Sequence, residues 1–198
     1  MIDPELLIKY GAHKKMYSRG ENLFSEGQRA AYFYQVISGE VKMFNYNDEG
    51  KEFIQGIFTD NDTFGEPPLL NSQPYLTNAE TLTDSELWML PKDKFLVLLH
   101  EQNDAALSVC RRLSDRLYYK SMMSAEISSE HPDHRLLRFF DFLKYQVAKI
   151  PKNELYQIML TRQQLADLTG LRVETVIRTI KSLEKKGAVT IEGRKVFR

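Results

Sequence analysis

The residues best suited to chemistry lie near the end of the chain. Glu174, Arg178, Lys181 and Lys185 follow one another at intervals of four, three and four residues. On an α-helix, this spacing places all four side chains on one face. A carboxylate can accept a hydrogen bond from the amino group of cytosine, and a guanidinium can donate two hydrogen bonds to guanine. The face therefore suits contacts with base edges in the major groove of DNA.

The same spacing allows a simpler interpretation, a surface ion pair between Glu174 and Arg178, which contributes only a few tenths of a kcal/mol. The preceding sequence favours the DNA-contacting interpretation. Thr161-Arg162-Gln163-Gln164 fits a capping box, and Gly170 suits the end of the helix that the box begins. A second helical sequence, 174–185, follows after a short turn. Two short helices joined by a glycine turn predict a helix-turn-helix.

The second helix also has an apolar side that predicts how it packs. At 100° per residue, Val176, Ile180 and Leu183 fall within about 60° of one another, which predicts a buried stripe. Strands predicted at 188–191 and 195–197 would form a hairpin, the wing of a winged helix-turn-helix.

Charge is distributed unevenly along the 198 residues, although the whole chain holds 27 basic and 27 acidic side chains. Residues 1–129 contain 13 Lys/Arg and 19 Asp/Glu, whereas residues 130–198 contain 14 and 8. The positive potential is thus concentrated in the segment that would meet a polyanion.

Several classes of protein are excluded by composition. No segment has the roughly 18 consecutive apolar residues of a membrane span, and residues 3–5, Asp-Pro-Glu, do not suit a signal peptide, so we expect a cytoplasmic protein. A single cysteine, Cys110, cannot hold an iron–sulfur cluster. Residues 20–91 contain no histidine, which excludes a cupin-like metal enzyme. His131 and His134 are better explained by a hinge and a helix start than by a metal site. We predict neither a metal nor catalysis.

The first half of the chain has the sequence pattern of an antiparallel sheet structure. Six of the ten glycines lie from Gly20 to Gly65, and none occurs from Glu66 to Thr169. Between those glycines lie short β-branched and aromatic runs, at 32–37, 41–44 and 53–58, with a further strand pair over 79–90. The segment 20–91 is therefore predicted to be an antiparallel sandwich or roll.

A long helix is predicted over 92–129, which contains no glycine. Its apolar positions allow a seam along which two helices could pair as in a coiled coil: Ala106, Cys110, Leu113, Leu117 and Ile127. Lys120 and Ser124 interrupt this seam. This pattern alone leaves open whether the helix pairs or packs only on its own roll. The single thiol, Cys110, is expected to be buried. After a break at 131–134, an amphipathic helix is predicted over 135–147.

The sequence resembles the Crp/Fnr family of bacterial regulators, named for the catabolite activator and the fumarate–nitrate reduction regulator. The most specific matches are Thr161 to Ala166, Gly170 and Val173 to Arg178. Two further matches are Gly39-Glu40-Val41-Lys42 and Phe64-Gly65-Glu66. The resemblance covers nearly the whole chain.

This resemblance implies an α+β fold with three parts. They are an N-terminal antiparallel, jelly-roll-like β-roll over 1–98, a long central dimerisation helix over 99–130 and a C-terminal winged helix-turn-helix domain over 131–198. The implied partners are a second copy of the chain, double-stranded DNA with a palindromic site, and RNA polymerase.

The resemblance also implies which side chains contact DNA. The base-contacting residues would be Val173, Glu174, Ile177 and Arg178, and the phosphate-contacting residues would be Thr161, Arg162, Gln163, Thr175 and Lys181. The catabolite activator has arginine at the position of Val173, whereas the fumarate–nitrate regulator has valine. We therefore expect a DNA half-site like that of the second regulator.

The family's cyclic-nucleotide pocket corresponds here to Phe64, Gly65, Glu66, Leu76 and Thr77. That pocket needs an arginine and a serine or threonine after its Gly-Glu pair to hold the phosphate, and these two positions fall on Leu76 and Thr77. Because an apolar side chain cannot neutralise a phosphodiester, we expect no binding of cyclic AMP through the usual contacts. The sequence does not identify the effector, and haem is one of the candidates.

We predict a sequence-specific, homodimeric transcription regulator that is controlled by a signal received at the roll or the central helix. The alternative is a ligand-binding roll whose C-terminal domain serves protein interaction rather than DNA binding.

Overall fold

The computed structural model describes residues 1–50, 52–128 and 131–198, with the side chains of 126–128 left outside the description. The predicted seam position Ile127 therefore lies outside the described side chains. The chain divides into two compact units, Met1–Ser114 and Asp115–Arg198. Each unit has its own hydrophobic core.

The first unit contains an antiparallel β-roll made of two four-stranded sheets. Its strands are β1 (His13–Tyr17), β2 (Asn22–Phe24), β3 (Tyr32–Ser38), β4 (Val41–Tyr46), β5 (Glu52–Phe58), β6 (Thr63–Phe64), β7 (Asn78–Thr81) and β8 (Ser85–Pro91). One sheet has the order β1-β8-β3-β6 and the other β2-β7-β4-β5. Every strand pair in the described roll is antiparallel. The predicted N-terminal roll is confirmed.

Strand β1 was not predicted, because its own residues lack the apolar pattern of a strand. Four of its five side chains are exposed and only Tyr17 is buried, so the segment has no apolar run. It is held instead by backbone pairing with β8, in which His13 lies opposite Met89. Three short helices complete the first unit before its long helix: α1 (Pro4–Lys9), α2 (Glu66–Asn71) and α3 (Lys92–Glu101).

Gly39 connects β3 to β4 at a point where two chain segments cross closely. Its φ is 101°, and a Cβ atom there would overlap Ser85 Oγ and lie 2.7 Å from the carbonyl oxygen of Asp84. We expect Gly39→Ala to destabilise the roll by about 1–3 kcal/mol, because backbone strain adds to a steric overlap. Denaturant unfolding followed by the fluorescence of Trp88, the only tryptophan, measures this loss.

Gly20→Ala is the matched control for that substitution. Gly20 has a similar φ of 79°, but no atom lies within 4 Å of an added Cβ. Gly20→Ala should therefore lose only the stability that the unfavourable backbone conformation costs. If both variants lose the same free energy of unfolding, the close crossing at Gly39 does not contribute to the effect.

The predicted long helix is confirmed as α4, but its predicted extent over 92–129 is wrong, because a second, shorter helix occupies the first part of this segment. Helix α3 ends at Glu101, α4 spans Asn103–Ser128, and Gln102 between them is extended, with φ −124° and ψ 88°. Tyr10 Oη donates to Glu101 Oε2 at 2.6 Å, and Gln102 Nε2 donates to Tyr10 Oη at 3.1 Å. The break is thus held by a residue more than 90 positions away, which helix propensity cannot reveal.

Helix α4 has a side that packs on the roll core and a side that is exposed. Val109 is buried, and the predicted seam residue Leu113 is half-buried against that core. Cys110 is exposed, so the prediction of a buried thiol is wrong for the described chain. Leu117 is 68% exposed, whereas Ala106 is half-buried. The predicted seam therefore contains both exposed and core-facing side chains.

The second unit is a helical domain with a small sheet. After the last part of α4 come α5 (Pro132–Phe142), a π-helical segment (Leu143–Val147), β9 (Gln157–Ile158), α6 (Arg162–Thr169), α7 (Val173–Lys185), β10 (Thr190–Glu192) and β11 (Lys195–Phe197). The sheet has the order β10-β11-β9. The predicted wing hairpin is present, and β9 adds a third strand that two residues of sequence could not predict.

The core of this unit brings α5, α6 and α7 together. Its fully buried side chains include Leu136, Phe140, Leu165, Val176 and Val196. The predicted amphipathic helix over 135–147 is confirmed as α5 and the π-helical segment that follows it. The apolar residues of α5 therefore pack against both α6 and α7.

Candidate nucleic-acid interface

The start of α6 is fixed by the predicted capping box. The Gln164 backbone N–H donates to Thr161 Oγ1 at 3.1 Å, and the Thr161 backbone N–H donates to Gln164 Oε1 at 2.8 Å. At the other end, Gly170 has a φ of 66°, the left-handed conformation that ends a helix. Helix α7 begins three residues later, at Val173. These local signals produce the helix-turn-helix.

Arg135 supports this turn, a role that the sequence did not predict. The side chain is buried, and its Nη1 donates to the carbonyl oxygen of Thr169 at 3.2 Å. This carbonyl lies in the last turn of α6, where backbone acceptors lack partners within the helix. The one available signal is the place of Arg135 four residues before Phe139, on the apolar stripe of α5.

Helix α7 has one buried and one exposed face, as predicted. Val176, Ile180 and Leu183 are buried in the core of the second unit. The opposite face lines an open groove, whose side chains are Glu174, Ile177, Arg178, Lys181, Ser182 and Lys185. Acidic, basic and apolar groups are therefore presented together along about three turns of one helix.

Other predicted DNA-contacting residues of α7 lie beside this exposed face. Val173 and Thr175 are half-buried, whereas Ile177 is 41% exposed despite its apolar side chain. Glu174 and Arg178 are both exposed. The structure thus brings the four predicted base-contacting residues together on the first two turns of the helix.

Glu174 and Arg178 do not form the surface ion pair that the simpler interpretation required. The ion pairs found among the described residues involve other side chains. By contrast, Lys186 Nζ lies 2.7 Å from Asp133 Oδ2. That hydrogen bond lowers the pKa of Asp133 below its usual value. The exposed face of α7 therefore keeps its charged groups available to a partner.

The predicted phosphate-contacting residues of α6 also make contacts within the domain. Arg162 Nη2 donates to the backbone carbonyl of Arg194, in the wing turn, at 3.3 Å. Gln163 Nε2 donates to both carboxylate oxygens of Asp167, at 2.8 and 3.0 Å. The Thr161 hydroxyl oxygen accepts the capping bond, which leaves its O–H as a donor. Arg162 thus links the start of α6 to the wing.

The predicted effector segments of the roll differ sharply in exposure. Glu66, the first residue of α2, is fully buried, and Thr77 is also buried. Leu76 is 77% exposed, and its backbone carbonyl accepts a hydrogen bond from Asn45 Nδ2 at 2.6 Å. The side chain at the position where the family pocket has arginine therefore projects into solvent.

Aromatic rings pack together beside these effector segments. We call Phe24, Tyr34, Phe58, Phe64 and Tyr75 the aromatic cluster. Phe24 and Tyr75 stack with ring centroids 3.7 Å apart, and Tyr34 stacks on Phe64 at 5.1 Å. Burial raises the pKa of Tyr34 well above its ordinary value. Two rings stacked at 3.7 Å leave no space for a purine between Phe24 and Tyr75 in this arrangement.

Two features of the described residues concern membrane spans and metal sites. No described helix combines the length and the apolar character needed to cross a membrane. Over the same residues, no cluster of three or more His, Cys, Asp or Glu side chains is placed to hold a metal ion. His131 and His134, with ring centroids 5.7 Å apart, belong to no such cluster.

An antiparallel roll, a long helix and a winged helix-turn-helix define a class of two-domain DNA-binding regulators. Known families match both halves: the cyclic nucleotide-binding domain over residues 14–102 and the Crp-like helix-turn-helix domain over residues 134–198. The chain therefore belongs to the Crp/Fnr family of transcriptional regulators.

Individual relatives match over most of their length. The cyclic AMP receptor protein of Thermus thermophilus is 26% identical over 188 residues, which cover 94% of this chain and 83% of that protein. The fumarate and nitrate reduction regulatory protein of Yersinia pestis is 24% identical over 184 residues, 91% and 72% of the two chains. The structure of the c-di-GMP responsive global regulator CLP of Xanthomonas campestris has a TM-score of 0.72, with 24% identity over 96% of each chain.

Proposed function

We propose that this regulator binds a palindromic DNA site as a homodimer and recognises its sequence through the exposed face of α7. The observation that carries the proposal is the unpaired placement of Glu174 and Arg178 on that face, beside two further lysines. A helix presenting these groups fits the major groove, where base edges offer matching donors and acceptors. The protein would act in the cytoplasm and without catalysis.

Each predicted contact has a distinct role in this proposal. Arg178 would donate two hydrogen bonds to guanine, and Glu174 would accept one from a cytosine amino group. Val173 and Ile177 would contact neighbouring base edges. The phosphate contacts would come from Thr161, Arg162, Gln163, Thr175 and Lys181. The basic excess of residues 130–198 would supply the salt-dependent part of the affinity.

The proposed division of labour follows the predicted domain borders. Residues 1–98 would receive the signal, residues 99–130 would form the dimer, and residues 131–198 would bind DNA. In this mechanism the dimer has two states, and the signal favours the state in which both α7 helices reach successive major grooves. RNA polymerase would be the partner at a promoter.

The experiment that tests this function is binding of fragmented genomic DNA to the full-length protein, followed by sequencing of the bound fragments. The proposal predicts enrichment of a sequence with dyad symmetry. The alternative, an interaction domain that no longer binds DNA, predicts no enrichment at any salt concentration.

Dimerisation is expected at micromolar concentration. Helix α4 exposes several apolar or weakly polar side chains, Leu107, Cys110, Leu117 and Tyr118, which a second copy would cover. Sedimentation velocity should show a dimer, and Leu117→Glu should shift it toward monomer. A wild-type protein that stays monomeric both alone and on DNA would contradict the proposed geometry.

Cyclic AMP is expected not to bind. Leu76 is apolar and solvent-exposed where a phosphate-binding arginine would be needed, and the aromatic cluster packs beside the same segments. Titration calorimetry with millimolar cyclic AMP should give no saturable heat. Saturable heat at one nucleotide per chain would mean that another cation binds the phosphate and that this account of the roll is wrong.

Relatives named for different ligands support leaving the signal unassigned. One is named a cyclic AMP receptor and another a c-di-GMP responsive regulator. The fold is therefore compatible with more than one nucleotide. A thermal-shift screen of nucleotides, haem and small metabolites is the direct way to find the effector.

A further inference from the structure

Ile177 is an unusual side chain for the surface on which it lies. It is 41% exposed, and it is the large apolar residue of the groove otherwise lined by Glu174, Arg178, Lys181, Ser182 and Lys185. A β-branched residue is a weaker helix former than the alanine, lysine or glutamate that would suit an exposed helical position. Neither helix propensity nor core packing explains an isoleucine here.

The position of Ile177 fixes which part of a partner it can contact. It lies three residues after Glu174 and one before Arg178, so the three side chains are adjacent on the first two turns of α7. The half-buried Val173 lies one turn before it. A β-branched side chain has essentially one rotamer in a helix, so its methyl groups are held in place. Ile177 thus presents a rigid apolar surface between charged groups.

The chemistry of the groove indicates the occupant. An apolar protein partner would need a wider exposed apolar patch than one side chain. The basic side chains around Ile177 favour a polyanion, and the only apolar group on the base edges of the major groove is the C5-methyl group of thymine. 5-Methylcytosine carries the same methyl group at the same ring position.

We propose that Ile177 contacts the C5-methyl group of a pyrimidine next to the base pair that Glu174 contacts. This inference rests on the proposed DNA-binding function. It makes Ile177 a specificity-determining residue for thymine, and it predicts that methylation of a cytosine at that position favours binding.

Removal of single methyl groups from DNA tests the proposal. Full-length protein first selects its preferred duplex from a random pool, and each thymine of the half-site is then replaced in turn by deoxyuridine. We expect one position at which the replacement lowers affinity about three- to fivefold per half-site, as expected for one buried methyl group. Replacements at the other thymines act as internal controls.

Variants connect the lost methyl group to Ile177. Ile177→Ala should bind thymine and deoxyuridine duplexes equally, and Ile177→Val should restore the difference. Lys181→Ala, on the same face, should weaken both duplexes alike and keep the difference. With a C·G pair at the sensitive position, 5-methylcytosine should improve binding over cytosine for wild type and not for Ile177→Ala. Circular dichroism checks that each variant is folded.

Two results would overturn the inference in distinguishable ways. If a site is selected but no thymine is sensitive, or if Ile177→Ala keeps the sensitivity, the methyl contact is wrong while the DNA-binding function stands. If the pool yields no preferred sequence, the proposed function fails and the inference with it.

Discussion

Arg178→Ala is expected to lower affinity for the selected DNA site by about 10- to 100-fold, while affinity for random DNA stays almost unchanged. A bidentate contact from arginine to guanine contributes about 1–3 kcal/mol of discrimination, and alanine removes both donors. Arg178 is exposed and takes part in none of the ion pairs of the described residues, so the substitution leaves the domain intact. Fluorescence anisotropy titrations with both duplexes at two salt concentrations measure the effect.

Two further substitutions distinguish base contacts from phosphate contacts. Glu174→Ala should relax the preference for the cytosine-bearing pair and leave affinity for random DNA unchanged or raised, because a carboxylate repels phosphates. Arg162→Ala should weaken all sequences alike and reduce the salt slope by about one per half-site. If Arg178→Ala and Arg162→Ala lose the same affinity on specific and random DNA, Arg178 does not contact a base.

Ile180→Ala has the largest effect that we expect on stability. Ile180 is fully buried between α7 and the other helices of the second unit, so alanine leaves a cavity that neighbouring side chains fill only in part. Such truncations destabilise by about 2–5 kcal/mol. Hydrogen exchange should show that protection falls for backbone amides of α5, α6 and α7, and DNA binding should weaken on every sequence.

Lys181→Ala is the matched control for Ile180→Ala, because the adjacent side chain is exposed. It should change stability by less than about 0.5 kcal/mol, as is usual for surface substitutions. It should still weaken DNA binding through the lost phosphate contact. If both variants lose protection equally, the assignment of the buried and exposed faces of α7 is wrong.

Local signals in the sequence are enough to predict the helix-turn-helix. The capping box at Thr161 to Gln164, the left-handed Gly170 and the apolar spacing of Val176, Ile180 and Leu183 all act within a few residues. Hydrogen bonds and packing at this range depend on sequence neighbours alone. For this reason the candidate site, including its exposed charges, could be predicted before the structure.

Features that depend on distant contacts could not be predicted. The break at Gln102 depends on Tyr10, and the support of the α6–α7 turn depends on Arg135, which is 34 residues from its acceptor. Strand β9 is defined only by its pairing with β11. The aromatic cluster likewise joins residues from separate strands and loops. In each case, the sequence gives the residue type but not its partner.

Sequence recognition by α7 is tested by comparing the affinity of the full-length protein for its selected palindromic duplex with its affinity for a random duplex of the same length. Both titrations are made at one physiological salt concentration. If α7 recognises base sequence in two successive major grooves, the selected duplex should bind at least about 10³-fold more tightly, with half-sites about 10 base pairs apart. A ratio near one would show that the exposed face of α7 binds DNA only as a polyanion and would contradict the account.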